Sequence, residues 1–256
     1  MQVAVLALNF FRRELTGRFV GSFSGGLWAL FQPLLQLAVY SFVFVRVFNA
    51  RVPGPAAIGY IPFLAAALWP WVAFAEAVLR STTVIQDNAA LIGKVALPRE
   101  VLVLASVAAS FTMHVAGFVA VMLVLAVSGQ GVRLAELPLA VLLFVPLAAL
   151  ALGVGLICSA VQVFVRDLAP ALAQLLPLLM FGAPVYYDRL QLPEAYRRFL
   201  DLNPFTFYAE SFRWLLLGYG TSGLPKLVVA IAISALALGL GRWIFRRLDP
   251  HLEDFL

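Results

Sequence analysis

Few residues in this chain are equipped for chemistry, and their spacing excludes most of its common forms. His114 sits in the middle of a long uncharged run and His251 near the C-terminal end, so the two form no metal-binding pair by spacing. His114 reads instead as a hydrogen-bonded packing residue. The single Cys158 also lies inside an uncharged run, which leaves neither disulfides nor a cysteine–metal cluster as an organising feature. No Ser/His/Asp set is suggested by spacing. The stretch "LIGKV" has a Gly-Lys, but it lacks the upstream glycine and the following Ser or Thr of a phosphate loop. The chain cannot bind ATP by that route. Glu76 is the only acid close to the interior of an apolar run, so a proton relay of the pump type is poorly supported. The reading is of no catalytic residue, no metal and no cofactor held by this chain. If it moves something, the energy comes from elsewhere.

The elements that would position these residues are set by an unusual composition. Hydrophobic residues make up 63% of the chain and charged residues only 12%, against about 25% charged in a soluble domain. Lipid must solvate most of such a chain, which makes it an all-α integral membrane protein. The net charge of +5 could suggest nucleic acid, but the basic residues flank apolar spans, as the positive-inside rule explains. Roughly 20 apolar residues cross a hydrocarbon core, and six runs qualify: 27–48, 58–79, 101–127, 137–164, 168–187 and 224–245. With the N-terminus inside, Arg12, Arg13, Arg18, Arg80, Lys94, Arg99, Arg166, Arg242, Arg246 and Arg247 fall on the cytoplasmic side. Both termini are therefore expected there, once the nearly neutral segment 188–218 is set aside. The opening "MQVAVLALNFFRREL" places its charges after its apolar residues, the reverse of a secretory signal, so no cleavage is expected.

Other stretches are not simple spans. In residues 1–20, Val3, Leu6, Ala7 and Phe10 share one helical stripe, with Asn9, Arg12 and Arg13 off it, the pattern of a helix lying along the cytoplasmic interface. Between the second and third runs, in 86–98, Asp87 or Asn88 can cap a short helix over Ala89–Lys94. Its Ala-Leu-Ile tip is oddly apolar for an exposed turn and could dock into a groove on a partner. The fifth run holds Pro170, Pro177 and Pro184 and reads as a broken helix lining a pathway.

After it, 188–218 reads as two short amphipathic helices. Pro193 and Glu194 open the first, Asn203 caps a second that starts at Pro204, and Gly218 stops it. Neither crosses alone. Glu210 and Arg213 are spaced to pair. The two helices make either a hairpin dipping from the outer face or a pair lying flat on it.

Several stretches together resemble the membrane subunit of ABC-2 type polysaccharide exporters, the O-antigen, capsule and teichoic-acid export permeases. They are "RELTGRFVGSFSGGLWALFQPLLQLAVYSFVF", "LWPWVAF", "LIGKVALPRE", "FVRDL", then "APVYY", "LP" and "LNPF", and the ending "LDPHLEDFL". Each is weak alone; in this order along almost the whole chain they are specific. The apolar "VALP" departs from the bulkier or charged residues often found in relatives. The resemblance implies a homodimer of six-span subunits in the bacterial cytoplasmic membrane, with two copies of a separate ATP-hydrolysing subunit holding the ATP and Mg. It implies a lipid-pyrophosphate-linked glycan as cargo. It also turns 188–218 into a re-entrant outer gate.

On that resemblance each site residue acquires an expected role. Arg18, with Arg12 and Arg13, attracts the pyrophosphate. Asp87, Asn88, Leu91, Ile92 and Lys94 couple the chain to the ATPase. Trp28, Tyr40, Trp69, Trp71 and Phe74 are candidates to line the glycan path, although lipid-facing positions serve aromatics equally well. Tyr186 and Tyr187 form the hinge of the outer gate, with Tyr196, Phe199, Phe205 and Phe212 on its helices. The alternatives are an ABC-2 exporter of drugs or lipids, and an integral membrane enzyme acting on lipid-linked sugars. The enzyme would need polar residues clustered at one membrane face.

Overall fold

Lipid-compatible sequence should satisfy its backbone within helices, and the chain does so. The computed structural model describes residues 2–17, 27–49, 58–92, 98–220 and 224–255, and among them there is no strand. Four helices among the described residues are long and apolar enough to cross a membrane: α3 (Tyr60–Asp87), α5 (Glu100–Val127), α6 (Leu137–Phe164) and α10 (Leu224–Leu248). The others are α1 (Gln2–Gly17), α2 (Leu27–Ser41), α4 (Ala89–Ile92), α7 (Leu168–Phe181), α8 (Glu194–Leu200) and α9 (Pro204–Leu217).

Two apolar runs fold differently from the expectation. The first stays α-helical only to Ser41 and continues as a π-helical turn over Phe42–Val47. The fifth stops at Phe181 instead of reaching Tyr187. Its 14 residues extend about 21 Å at 1.5 Å per residue, short of a hydrocarbon core of about 30 Å. The cause is local: Pro184 offers no N–H to a helix and drives Ala183 out of helical geometry, so the chain turns at Gly182. Pro177, by contrast, is accommodated inside α7.

The helices bury two cores. The larger joins α3, α5, α6 and α9, with Trp69, Phe118, Phe205, Tyr208 and Phe212 almost wholly buried. The smaller lies at the end of the bundle that carries both chain termini. There Phe10 of α1 meets Val84 and Ile85 of α3, Ile92 of α4, Leu102 of α5, Val163 of α6, and Phe245 and Leu252 from the C-terminal end. The helical stripe of α1 thus packs on protein through Phe10, while Val5 and Leu8 are exposed. Arg99 closes this end from below: its guanidinium donates to the Asp249 carbonyl at 2.7 Å and carboxylate at 2.8 Å, and pairs with Glu253. Glu100 holds Arg246 at 3.0 Å and Arg242 at 3.3 Å.

Helices α6 and α10 approach so closely at Gly153 and Gly241 that a methyl group at Gly153 would overlap the Ala237 carbonyl. One at Gly241 would overlap the Gly153 carbonyl. Because both obstacles are backbone, neither side chain nor rotamer can yield. Gly153→Val or Gly241→Val should therefore force the helices apart and cost about 1–3 kcal/mol or more. Thermal unfolding of the purified protein followed by tryptophan fluorescence would show a lowered midpoint. Gly239→Ala, which meets nothing within 4 Å and removes a glycine from a helix interior, should not lower it.

Candidate functional site

The segment from Gly182 to Gly220 owes its placement to one side chain. Arg213 of α9 is 3% exposed. Its guanidinium donates through Nε to the Phe63 carbonyl of α3 at 3.0 Å, and through Nη1 and Nη2 to the Pro184 and Val185 carbonyls at 2.5 and 2.6 Å. The same group lies 3.5 Å from the centroid of the Phe63 ring. A planar fork of five donors suits this task, since it satisfies diverging acceptors at once. The expected ion pair with Glu210 is replaced by this arrangement. Glu210 instead faces Lys226 of α10 at 2.5 Å and Arg189 at 3.7 Å. Tyr219 completes the node, edge-on to Phe63 and donating to Asp188 at 2.7 Å. Burial and the facing carboxylate push the Tyr219 phenol up, so it stays neutral and keeps donating.

Local signals shape the two short helices. The Asn203 side chain accepts from the Phe205 N–H at 3.0 Å, Pro204 takes the first helical position, and Gly218 ends α9 in the left-handed region at φ 63°. A side chain at Gly218 would also strike Arg133. The first helix is shorter than expected, ending at Leu200, with a turn before Asn203. Helix α9 begins against the middle of α3, with Phe205 edge-on to Trp71 at 4.8 Å, and ends beside Phe63 near the start of α3. At the tip, Asn203 donates to the Gly182 carbonyl of the turn after α7 at 3.1 Å.

The expected gate residues separate into two groups. Phe205 and Phe212 are core residues, the latter edge-on to Phe118 and Phe144. Tyr196 and Phe199 are exposed on α8. Tyr186 is buried, stacked on Phe44 at 5.4 Å and edge-on to Tyr40 at 4.9 Å, while its carbonyl accepts from the Tyr60 hydroxyl at 2.6 Å. Tyr187 is half-buried and donates to the Phe181 carbonyl at 2.8 Å.

Beneath Tyr186 a cavity of about 520 Å³ opens between α2, α3, α5 and α7, bordered by Gln36, Tyr40, Trp71, Glu76, Arg80, His114 and Pro177 among others. Two of the five aromatic candidates, Tyr40 and Trp71, border it. Phe74 packs on Trp71 and Phe205. Trp69 turns the other way, fully buried and donating to the His114 carbonyl at 2.9 Å, because the indole N–H needs an acceptor inside the core. Trp28 belongs to the first turn of α2.

A polar cluster that sequence reasoning missed lies on the cavity wall. His114 Nε2 lies 2.7 Å from Glu76 Oε2, and Arg80 Nε donates to Glu76 Oε1 at 2.8 Å. His114 is thus a partner of Glu76 as well as a packing residue. The i, i+4 spacing of Glu76 and Arg80 was a signal for half of this cluster; nothing in the sequence tied His114 to it.

At the end carrying the termini, the residues expected to couple the chain to a partner are differently disposed. Asp87 is exposed and accepts from Thr83 at 2.8 Å. Asn88 is buried and donates to the Val84 carbonyl at 2.7 Å, so its side chain closes α3 and does not cap α4. Ile92 corrects the expectation of an exposed apolar tip, since it is buried in the smaller core, with Leu91 packed against that core. Ile92 shares that core with Phe10, Val84, Ile85 and Leu102. Only Ala90 of the tip is exposed. Lys94 and Arg18 lie outside the described residues. Arg12 is exposed. Arg13 is held over the Phe10 ring at 4.8 Å and donates to Asn88.

Comparison with known proteins bears on this arrangement. Residues 7–217 match the family of ABC-2 type transporters. An O-antigen export system permease protein RfbA from Myxococcus xanthus is 28% identical, covering 98% of this chain and 94% of that protein. A Klebsiella pneumoniae protein of the same name is 25% identical over 95% of this chain and 92% of its own length. The polysialic acid transport protein KpsM of Escherichia coli is 25% identical over 96% of this chain and 93% of its own length.

Loss of the buried fork should be costly. Arg213→Met removes the donors and strands three buried carbonyls, at about 1–3 kcal/mol each. Arg213→Lys, a point charge without the fork, should fall between Met and the native residue. Limited proteolysis reads this directly, because cleavage within 184–202 should accelerate in the order Arg, Lys, Met. Equal cleavage rates would mean that the carbonyls find other partners.

Proposed function

The chain belongs to the ABC-2 type transporter family, and on that premise we propose that it is the membrane subunit of an ATP-driven exporter of lipid-linked polysaccharide. The observation that carries this reading is its likeness along nearly the whole of both chains to permeases named for O-antigen export and polysialic acid transport. Its setting is the bacterial cytoplasmic membrane, with both termini inside. The positive-inside distribution of Arg and Lys supports this orientation.

Two copies of the chain face each other across their cavities, and two ATP-hydrolysing subunits drive them. A cavity open to one side of a single chain supports this geometry, since a two-fold axis would close two such cavities into one path. Tyr40 and Trp71 offer the glycan aromatic contacts. Arg12 and Arg18 attract the pyrophosphate at the cytoplasmic surface. The α2 and α7 segments take the places of the remaining two of six spans, α7 as a helix that stops short of a full crossing, and α8 and α9 form a re-entrant hairpin that gates the outer exit. The start of α9 at the middle of α3 supports the hairpin.

The smaller core is suited to carrying motion. It ties α1, α4 and the C-terminal turns to the ends of α3, α5 and α6, so a push on any of these moves the long helices as a unit. The contact with the ATPase then falls on the exposed Asp87 and Ala90, while Ile92 anchors α4 from within.

Two measurements test this reading. Deleting the gene should remove glycan from the cell surface and leave lipid-linked glycan accumulating inside; normal surface glycan with altered drug tolerance would favour a different cargo. At the docking end, Ala90→Arg should abolish co-purification of the ATPase while leaving the unfolding temperature unchanged. Ile92→Asp should lower that temperature, because it buries a charge in the smaller core. Full retention of the ATPase by Ala90→Arg would place the docking surface elsewhere.

A further inference from the structure

An ionisable group facing a membrane-depth cavity is expensive unless it has work to do. Glu76 exposes a third of its side chain beside the cavity and is held from two sides, by Arg80 Nε at 2.8 Å and His114 Nε2 at 2.7 Å. Each holder engages one oxygen of the carboxylate. Arg80 is 45% exposed, Gln36 donates to the Tyr40 hydroxyl at 3.2 Å, and Tyr40 and Trp71 border the same space. Donors and acceptors on one wall beside aromatic carbon match a molecule with hydroxyls at its edge and C–H groups on its faces. An acyl chain there would offer these groups no further hydrogen bond.

We propose that this cavity is a sugar-binding station. Glu76, positioned by Arg80 and His114, accepts hydrogen bonds from ligand hydroxyls, and Tyr40 and Trp71 contact the C–H surface of the ring. The ligand is an uncharged, hydroxyl-rich sugar unit. The station rests on the polysaccharide reading and narrows it to one place on α3 with a carboxylate at its centre.

The test uses maltohexaose as probe and the full-length chain in nanodiscs with its ATP-hydrolysing partner. Saturation-transfer NMR should show transfer to the sugar protons in the native protein. Glu76→Ala should weaken binding about tenfold, the effect of losing one charge-assisted hydrogen bond. Glu76→Gln, which keeps the volume and one acceptor, should fall between and serves if the alanine variant does not assemble. Tyr40→Leu should weaken it too, and Trp243→Ala, exposed on α10, should not. No transfer to the native protein, or native-strength binding by both Glu76 variants, would overturn the station. Surface glycan separates this failure from a wider one. Normal display in Glu76→Ala cells would remove the station and leave the exporter; normal display after deletion of the whole chain would remove the exporter reading itself.

Discussion

A guanidinium buried away from water must find all its acceptors within the protein, and Arg213 finds them on segments far apart in sequence. Its three bonds reach the carbonyls of Phe63, Pro184 and Val185. In the turn after α7 the Ala183 carbonyl is paired by the Val185 N–H, but the carbonyls of Pro184 and Val185 lie past the helix and take their donors from Arg213. In the same act the arginine fixes the height of α9 against α3. Everything above the cavity follows from this fork. Tyr186 is carried onto Phe44 and Tyr40, Asp188 is brought to Tyr219, and Glu210 is left to meet Lys226.

Helix α7 ends early, and this shapes what lies below. A helix reaching Tyr187 would have left no place for the tip at Asn203, which bonds to the Gly182 carbonyl. The shortened α7 also bounds the cavity with Pro177 instead of filling it. The larger core is meanwhile packed with aromatic side chains on the α5, α6 and α9 side. The polar cluster of Glu76, Arg80 and His114 therefore faces the open side of the molecule, and the rigid side stands behind it.

Much of the fold was legible because the signals were local. The uninterrupted run Leu137–Phe164 is α6, and the Asn-Pro start and glycine stop of α9 are written in three residues, Asn203, Pro204 and Gly218. Fold class and family resemblance followed from composition and the order of short motifs. What was not legible depended on contacts across the sequence. Nothing near Ile92 shows that it would join a core with Phe10 and Leu102, nor does anything near His114 show that Glu76 would meet it. Glu210 sat at helical spacing from Arg213, and local reasoning paired them. The guanidinium went instead to carbonyls that only the broken end of α7 exposes.

Helix α9 is a buried element locked to α3, while α8 rides on the surface. Hydrogen–deuterium exchange on the native protein in nanodiscs measures this most directly. Peptides covering 204–217 should exchange as slowly as those of α3, and peptides covering 189–200 should exchange much faster. Equally fast exchange over both stretches would contradict the account, since a loosely held α9 cannot owe its place to Arg213.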